Sequence, residues 1–202
     1  MVEERLSMDG NFITSVVAAY ADIFDPPGRT IRFSRPEPLL GECSVVVYLP
    51  NEVEQMDPVT NLGLLGTAGF SSAKICADFP CELGIALKGP LGEASVDSLA
   101  EALVELASVP LKTGRLFNDG QILENISLPG FPRFTMALLV DWDPMDGFRF
   151  LAPHAGTAFL RVVPLFPAEA DFVESRTDRK KGYCALVNRG MVDQDPDRGP
   201  VV

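Results

Sequence analysis

The chain has 202 residues, 47% of them apolar and 22% charged, with a mean hydropathy of +0.15, so it can bury a full core and does not have the composition of a disordered polymer. Seventeen Lys and Arg against 28 Asp and Glu leave a formal charge of −11, which repels nucleic acid and anionic lipid and makes a protein partner with a basic surface the electrostatic complement. The start, MVEERLSMDG, is acidic where a signal peptide is basic, and no apolar run reaches the roughly 18 residues of a membrane span; the expectation is a cytoplasmic chain with neither a nucleic-acid nor a membrane partner.

Residues 11 to 24 place Phe12, Ile13, Val16, Val17, Tyr20, Ile23 and Phe24 at helical spacing, and Asp25-Pro26-Pro27-Gly28 ends the pattern. Apolar runs at Cys43 to Leu49, Leu62 to Thr67 and Cys81 to Leu87 predict strands. A second helix is predicted over 95–108, with a serine cap, an inner stripe of Val96, Leu99, Ala100, Leu103, Leu106 and Ala107, and Pro110 as its stop. Strands at Gln121 to Ile126, Phe134 to Asp141 and Thr157 to Val163 come next. In the segment FLRVVPLFPAEADF, Pro164 is expected to end ladder pairing and Pro167 to open a helix over 167–181, with Glu169 and Asp171 in its first turn and Gly182 as its stop. The order of elements argues for a mixed α/β (α+β) domain, a mixed sheet covered by helices in a single compact domain over residues 1–192, with an acidic tail at 193–202 that frays.

Little in the chain speaks for catalysis. Cys43, Cys76, Cys81 and Cys184 form no CxxC pair and His154 is the only histidine, so neither a metal nor a cofactor is expected and the thiols read as buried small hydrophobes. Gly63, Gly66 and Gly69 in LGLLGTAGFSSAK match no phosphate-loop spacing and read as chain reversals between strands. Asp193, Asp195 and Asp197 mimic the start of a calcium loop, but Gly199 falls one place late. A hydrolase or ligand-binding enzyme is the alternative reading: it needs Ser71 or a cysteine to meet His154 and an acid such as Asp119 or Asp141, and no GxSxG elbow supports it. Trp142, rimmed by Asp141, Asp143 and Asp146, reads either as a lid on the core or as a recognition spot for a basic partner.

Four segments together resemble the suppressor-of-fused domain family in its compact bacterial form. Val45 to Pro50 followed by Leu64 to Ser72 is similar to a strand pair leading into a Thr-Ser-Gly-Met-Ser-Asp-like turn, with Thr67, Gly69 and Ser71 matching and Ala68, Phe70 and Ser72 departing. Cys81 to Leu87 is similar to the next strand, which the family introduces with a pair such as Ala-Glu. The predicted second helix with Leu106 to Pro110, followed by Asn118 to Ile122 where the family often carries a Gly-His-Thr-like turn, and the junction Leu160 to Ala170 complete the pattern.

The resemblance implies a mixed α/β domain that binds proteins without catalysis. The longer animal relative grips a transcription-factor peptide between two domains, and this chain is too short for the second; the bacterial branch of the family extends to immunity proteins that neutralise toxins. Taking both readings together, the residues expected to bind a protein or a ligand are Thr67, Gly69, Ser71, Asp119, Trp142, His154 and Glu169. A third way of binding is strand addition at an exposed sheet edge.

Overall fold

A computed structural model describes residues 12–22, 27–34, 41–57, 61–72, 80–89, 91–142 and 157–202. Helix α1 covers residues 12–22. Strands β1 (Arg29–Ser34) and β2 (Glu42–Tyr48), helix α2 (Glu52–Met56), strand β3 (Leu62–Ala68), a 3₁₀ turn (Phe70–Ser72) and β4 (Cys81–Lys88) follow. Then come α3 (Glu93–Ala107), α4 (Val109–Thr113), β5 (Ile122–Glu124), β6 (Met136–Asp141), β7 (Ala158–Leu165), α5 (Pro167–Glu174) and α6 (Arg179–Asn188). The mixed α/β expectation is met by one seven-stranded sheet in the order β1-β2-β3-β4-β7-β6-β5. Every neighbouring pair is antiparallel except β4 and β7, so a four-stranded meander and a three-stranded one are joined by a single parallel pair, with α3 and α4 in the crossover between them.

Helix α3 buries Val96, Leu99, Ala100, Leu103 and Ala107 against one face of the sheet, as its stripe predicts. The other face carries two helical patches. Val16 and Tyr20 of α1 cover Val46, Ala68 and Phe159, and α5 and α6 cover Leu138, Val140, Val163 and Leu165.

The first of these patches depends on two glycines lying within strands, of which the sequence reading has Gly66 reversing the chain. Gly66 of β3 is opposite Gly84 of β4, and the rings of Tyr20 and Phe159 lie on them edge to face, 5.2 Å apart. A Cβ at Gly84 would sit 2.2 Å from Phe159 Cζ, and one at Gly66 2.6 Å from the Tyr20 ring. Replacing Gly84 by alanine is therefore expected to cost about 1–3 kcal/mol through displacement of Phe159, read as a lower urea midpoint at unchanged m-value. An unchanged midpoint would show that the ring moves freely.

Several sequence expectations are corrected. The junction helix is two helices: α5 ends at Glu174 with Ser175 as its cap, and Asp178 opens α6 by accepting from Lys181 N at 3.2 Å, so Gly182 is buried inside α6 instead of stopping a helix. Helix α3 starts after Gly92 without a side-chain cap, and Pro110 sits in the first turn of α4, where its missing N–H has no helical partner to lose.

Pro164 also stays within β7, opposite Ala137. Trp142 N donates to Phe159 O at 2.8 Å and Leu139 N to Gln121 O at 2.8 Å, so the even-numbered residues of β6 bond to β7 and the odd-numbered ones to β5. Ala137 and Pro164 therefore exchange no ladder bonds, and the proline faces the side where the register of β4 with β7 has stopped at Arg161. Strand β1, whose apolar content is too low to register as a sequence pattern, is recognised only by its pairing with β2.

Residues 193–202 are tied to the body of the domain. Arg198 is 8% exposed and Asp193 6%, and both are held by ion pairs to the body of the domain, Arg198 to Glu169 at 2.6 Å and Asp193 to Arg161 at 2.8 Å. Charge drew the expectation of a solvated tail; pairing with buried opposite charges reverses it.

Candidate functional site

The Thr67 to Ser72 turn wraps one buried carboxylate. Glu82, which alternates into the α1 face of the sheet from an otherwise apolar strand, is fully buried. Its Oε1 accepts from Gly69 N (3.0 Å), Ser71 N (3.0 Å) and Ser71 Oγ (2.6 Å), and its Oε2 from Thr67 Oγ1 (2.7 Å) and, at 3.4 Å, Phe70 N. Thr67 Oγ1 also accepts from Leu83 N at 2.8 Å, and Tyr20 OH donates to Thr67 O at 2.9 Å. Gly69 supplies the φ of +120° that lets three successive residues aim their N–H groups inward. Thr67, Gly69 and Ser71 are therefore matched in the sequence but turned away from solvent: their donors hold the β3 to β4 connection to Glu82. Burial raises the Glu82 carboxyl above its ordinary value, against the lowering effect of the Ser71, Thr67 and Gly69 donors.

The remaining expected residues do not converge on this turn. Glu169 is fully buried. It accepts from Phe166 N at 3.0 Å to cap α5, takes both Nη atoms of Arg198 at 2.6 and 2.8 Å, and accepts from Val201 N at 3.2 Å. The guanidinium lies over Phe134 and Phe166, 4.8 and 5.3 Å from the ring centres, and donates to Pro164 O at 2.9 Å. Glu169 thus locks the tail and is not part of a face. Asp119 is exposed but holds the end of β6, accepting from Asp141 N at 2.8 Å. His154, Asp143 and Asp146 lie outside the described residues. The hydrolase reading loses Ser71 as its nucleophile, because that hydroxyl donates into a buried carboxylate and the residue is 8% exposed.

Trp142 is half-buried and stacks on Phe159 at 5.0 Å with ring planes 8° apart. Arg161 lies 5.4 Å from the indole centre, so a cation of the protein itself occupies the ring's attractive environment where a basic partner was expected. Among the described residues no group of three or more His, Cys, Asp and Glu side chains could hold a metal ion, Cys43 and Cys81 are buried, and no helix is long and apolar enough to cross a membrane.

A concave surface that the residue list does not anticipate lies on the α3 face. A groove of about 710 Å³ runs between α3 and β5, floored by Leu106, Val109, Phe117, Leu123, Ile126 and Leu128. Glu101 and Glu105 line it from α3, and exposed Glu124 stands at its open edge. Strand β5 is the last of the sheet. By the alternation that bonds Leu123 to β6, the N–H and C=O groups of Ile122 and Glu124 point outward along the groove. Asn125, at φ 55°, then turns the chain away. The partly buried apolar residues Leu106 and Leu123 were legible as periodic; that they share a groove follows only from the distant pairing of β5 with β6.

Neither the protein-family models nor the curated proteins give a match to this chain. Solved structures do: the seven-stranded mixed sheet with its helical layers is the suppressor-of-fused fold. A suppressor-of-fused homologue from Neisseria gonorrhoeae superposes with a TM-score of 0.68 at 16% identity, covering 95% of this chain and 97% of that one. The suppressor of fused in a Sufu–Fu complex gives 0.64 at 14% identity, covering 94% and 92%. Drosophila Suppressor of Fused gives 0.63 at 13% identity, covering 94% of this chain and 51% of the larger one.

Proposed function

We propose that this chain is a non-enzymatic protein-binding domain that takes an extended, basic and apolar segment of its partner into the α3 and β5 groove. The observation that carries the reading is the outer edge of β5, which among the described residues pairs with no further strand, beside an apolar floor with three glutamates around it. An incoming strand would bond to the outward groups of Ile122 and Glu124, place alternate apolar side chains over Leu106, Phe117 and Leu123, and bring Lys or Arg side chains to Glu101 and Glu124. The opposite edge, β1, carries Arg29 and Arg32, charges that discourage strand addition there. A solved structure of the same fold is a complex with another protein, Fu, which supports binding as the use of this fold here. The finer reading is a bacterial immunity protein neutralising a toxin: a toxin that attacks nucleic acid or anionic membrane carries a basic face, and a domain of charge −11 suits its capture.

Capture from native lysate at about 50 mM salt, with identification by mass spectrometry, tests this. The wild-type chain is expected to recover a basic protein, and an E101K/E124K double variant to recover at least tenfold less with its thermal midpoint unchanged, since both side chains are exposed. Recovery of no specific protein, or equal recovery by the variant, would remove the groove reading. A recovered partner without toxic activity would remove the immunity reading alone.

A further inference from the structure

On the opposite face of the sheet from the groove, a second cleft of about 450 Å³ opens between the ends of β6 and β7 and helix α6, within the range of about 300–1,000 Å³ typical of small-ligand sites. Its floor is a partly buried polar cluster. Arg161 donates through Nη2 to Asp193 Oδ2 at 2.8 Å and to the Tyr183 hydroxyl, which in turn donates to Asp193 Oδ2 at 2.7 Å. The guanidinium lies between Trp142 and Tyr183, 5.4 and 5.6 Å from their ring centres. Val187, Met191 and Val192 form the wall, and the two valines are 42% and 44% exposed. Lys180 stands at the mouth.

The distribution of used and unused polar groups defines what fits. Arg161 and Asp193 neutralise one another, and Asp141 at the rim has a partner of its own. Among the described residues, Nε and Nη1 of Arg161 make no hydrogen bond and neither is fully buried, and Lys180 forms no ion pair. The unsatisfied capacity is therefore a set of cationic donors, from Arg161 and Lys180, beside an apolar wall. A dianion would meet the repulsion of Asp193 and Asp141; a monoanion with an apolar body meets both needs. We propose that this cleft binds a small apolar carboxylate, its carboxylate on Arg161 Nη1 and Lys180 and its body against Trp142, Val187 and Val192.

The chain has a single tryptophan and it lines the cleft, so ligand entry is read directly in its fluorescence. Titration with 3-phenylpropionate is expected to give a saturable change, and the isosteric 3-phenylpropionamide to bind at least tenfold more weakly. K180E, at a partly exposed position, should weaken the acid at least fivefold without moving the thermal midpoint, and R161Q should abolish its binding. Absence of a saturable response to the acid in the millimolar range, equal binding of acid and amide, or wild-type affinity in K180E would each overturn the assignment. The titration needs no protein partner, so its failure leaves the groove reading untouched, and failure of partner capture leaves this one standing.

Discussion

Replacing Glu82 by alanine is expected to destabilise the domain by about 4 kcal/mol or more. Five donors converge on its carboxylate, and three of them are backbone N–H groups of residues 69–71 that cannot rotate toward other acceptors. Each buried donor left without an acceptor costs about 1–3 kcal/mol. The loss also releases the connection on which Tyr20 and Thr67 are anchored, so chemical denaturation should show a fall in midpoint together with loss of protection at residues 67–72. Glu82→Gln retains the volume and one acceptor oxygen and is expected to cost less.

The same pair of variants carries a pH signature. Burial raises the folded Glu82 carboxyl above its unfolded value, so the unfolded chain releases this proton first. Over the interval between the two values the native state binds more protons than the unfolded state, and the contribution of Glu82 to stability falls as pH rises through it. Below that interval both states are protonated and the contribution is level. Glu82→Gln cannot titrate and should lack this decline; a variant with the same slope as wild type would place the effect on another group.

The second large effect belongs to the tail. Arg198→Ala leaves Glu169 fully buried without its bidentate partner, and breaking such a pair costs about 3–5 kcal/mol, a fall in thermal midpoint of about 6–20 °C for a domain of this size. Removing residues 193–202 should cost at least as much, because it strips Asp193 from Arg161 as well. A double variant, E169Q/R198M, removes both charges and is expected to recover most of the loss, because two uncharged side chains need less solvation than one stranded ion. A truncated chain as stable as the intact one would mean that the tail contributes nothing.

The elements of this fold were legible wherever a single stretch of chain determines them. The α3 stripe and the runs that form β2, β3, β4 and β7 are periodic in the sequence because each buries a face against the same sheet. What the sequence did not disclose depends on partners far along the chain. Pro164 is tolerated within β7 because its neighbour β4 has already diverged. Gly66 and Gly84 leave room within their strands for the rings of Tyr20 and Phe159, which come from distant parts of the chain. Glu82 announced itself weakly, as a lone carboxylate in an apolar strand, but its five donors come from residues 11 to 15 positions earlier. The candidate residues separated for the same reason. Thr67, Ser71 and Glu169 are polar residues whose chemistry is consumed inside the domain, whereas the groove is made of ordinary leucines and glutamates that become a site only when β5 is left as the last strand.

On the proposed function, a partner strand adds to β5. Hydrogen exchange on the complex with the captured partner tests it most directly, because the outward amides of Ile122 and Glu124 have no acceptor in the sheet and should exchange rapidly in the free domain. Partner binding is predicted to slow exchange at residues 122–126 and to cover the α3 surface around Glu101 and Glu105, with β1 unchanged. Unaltered exchange at Ile122 and Glu124 in a saturated complex, with protection elsewhere, would contradict the account.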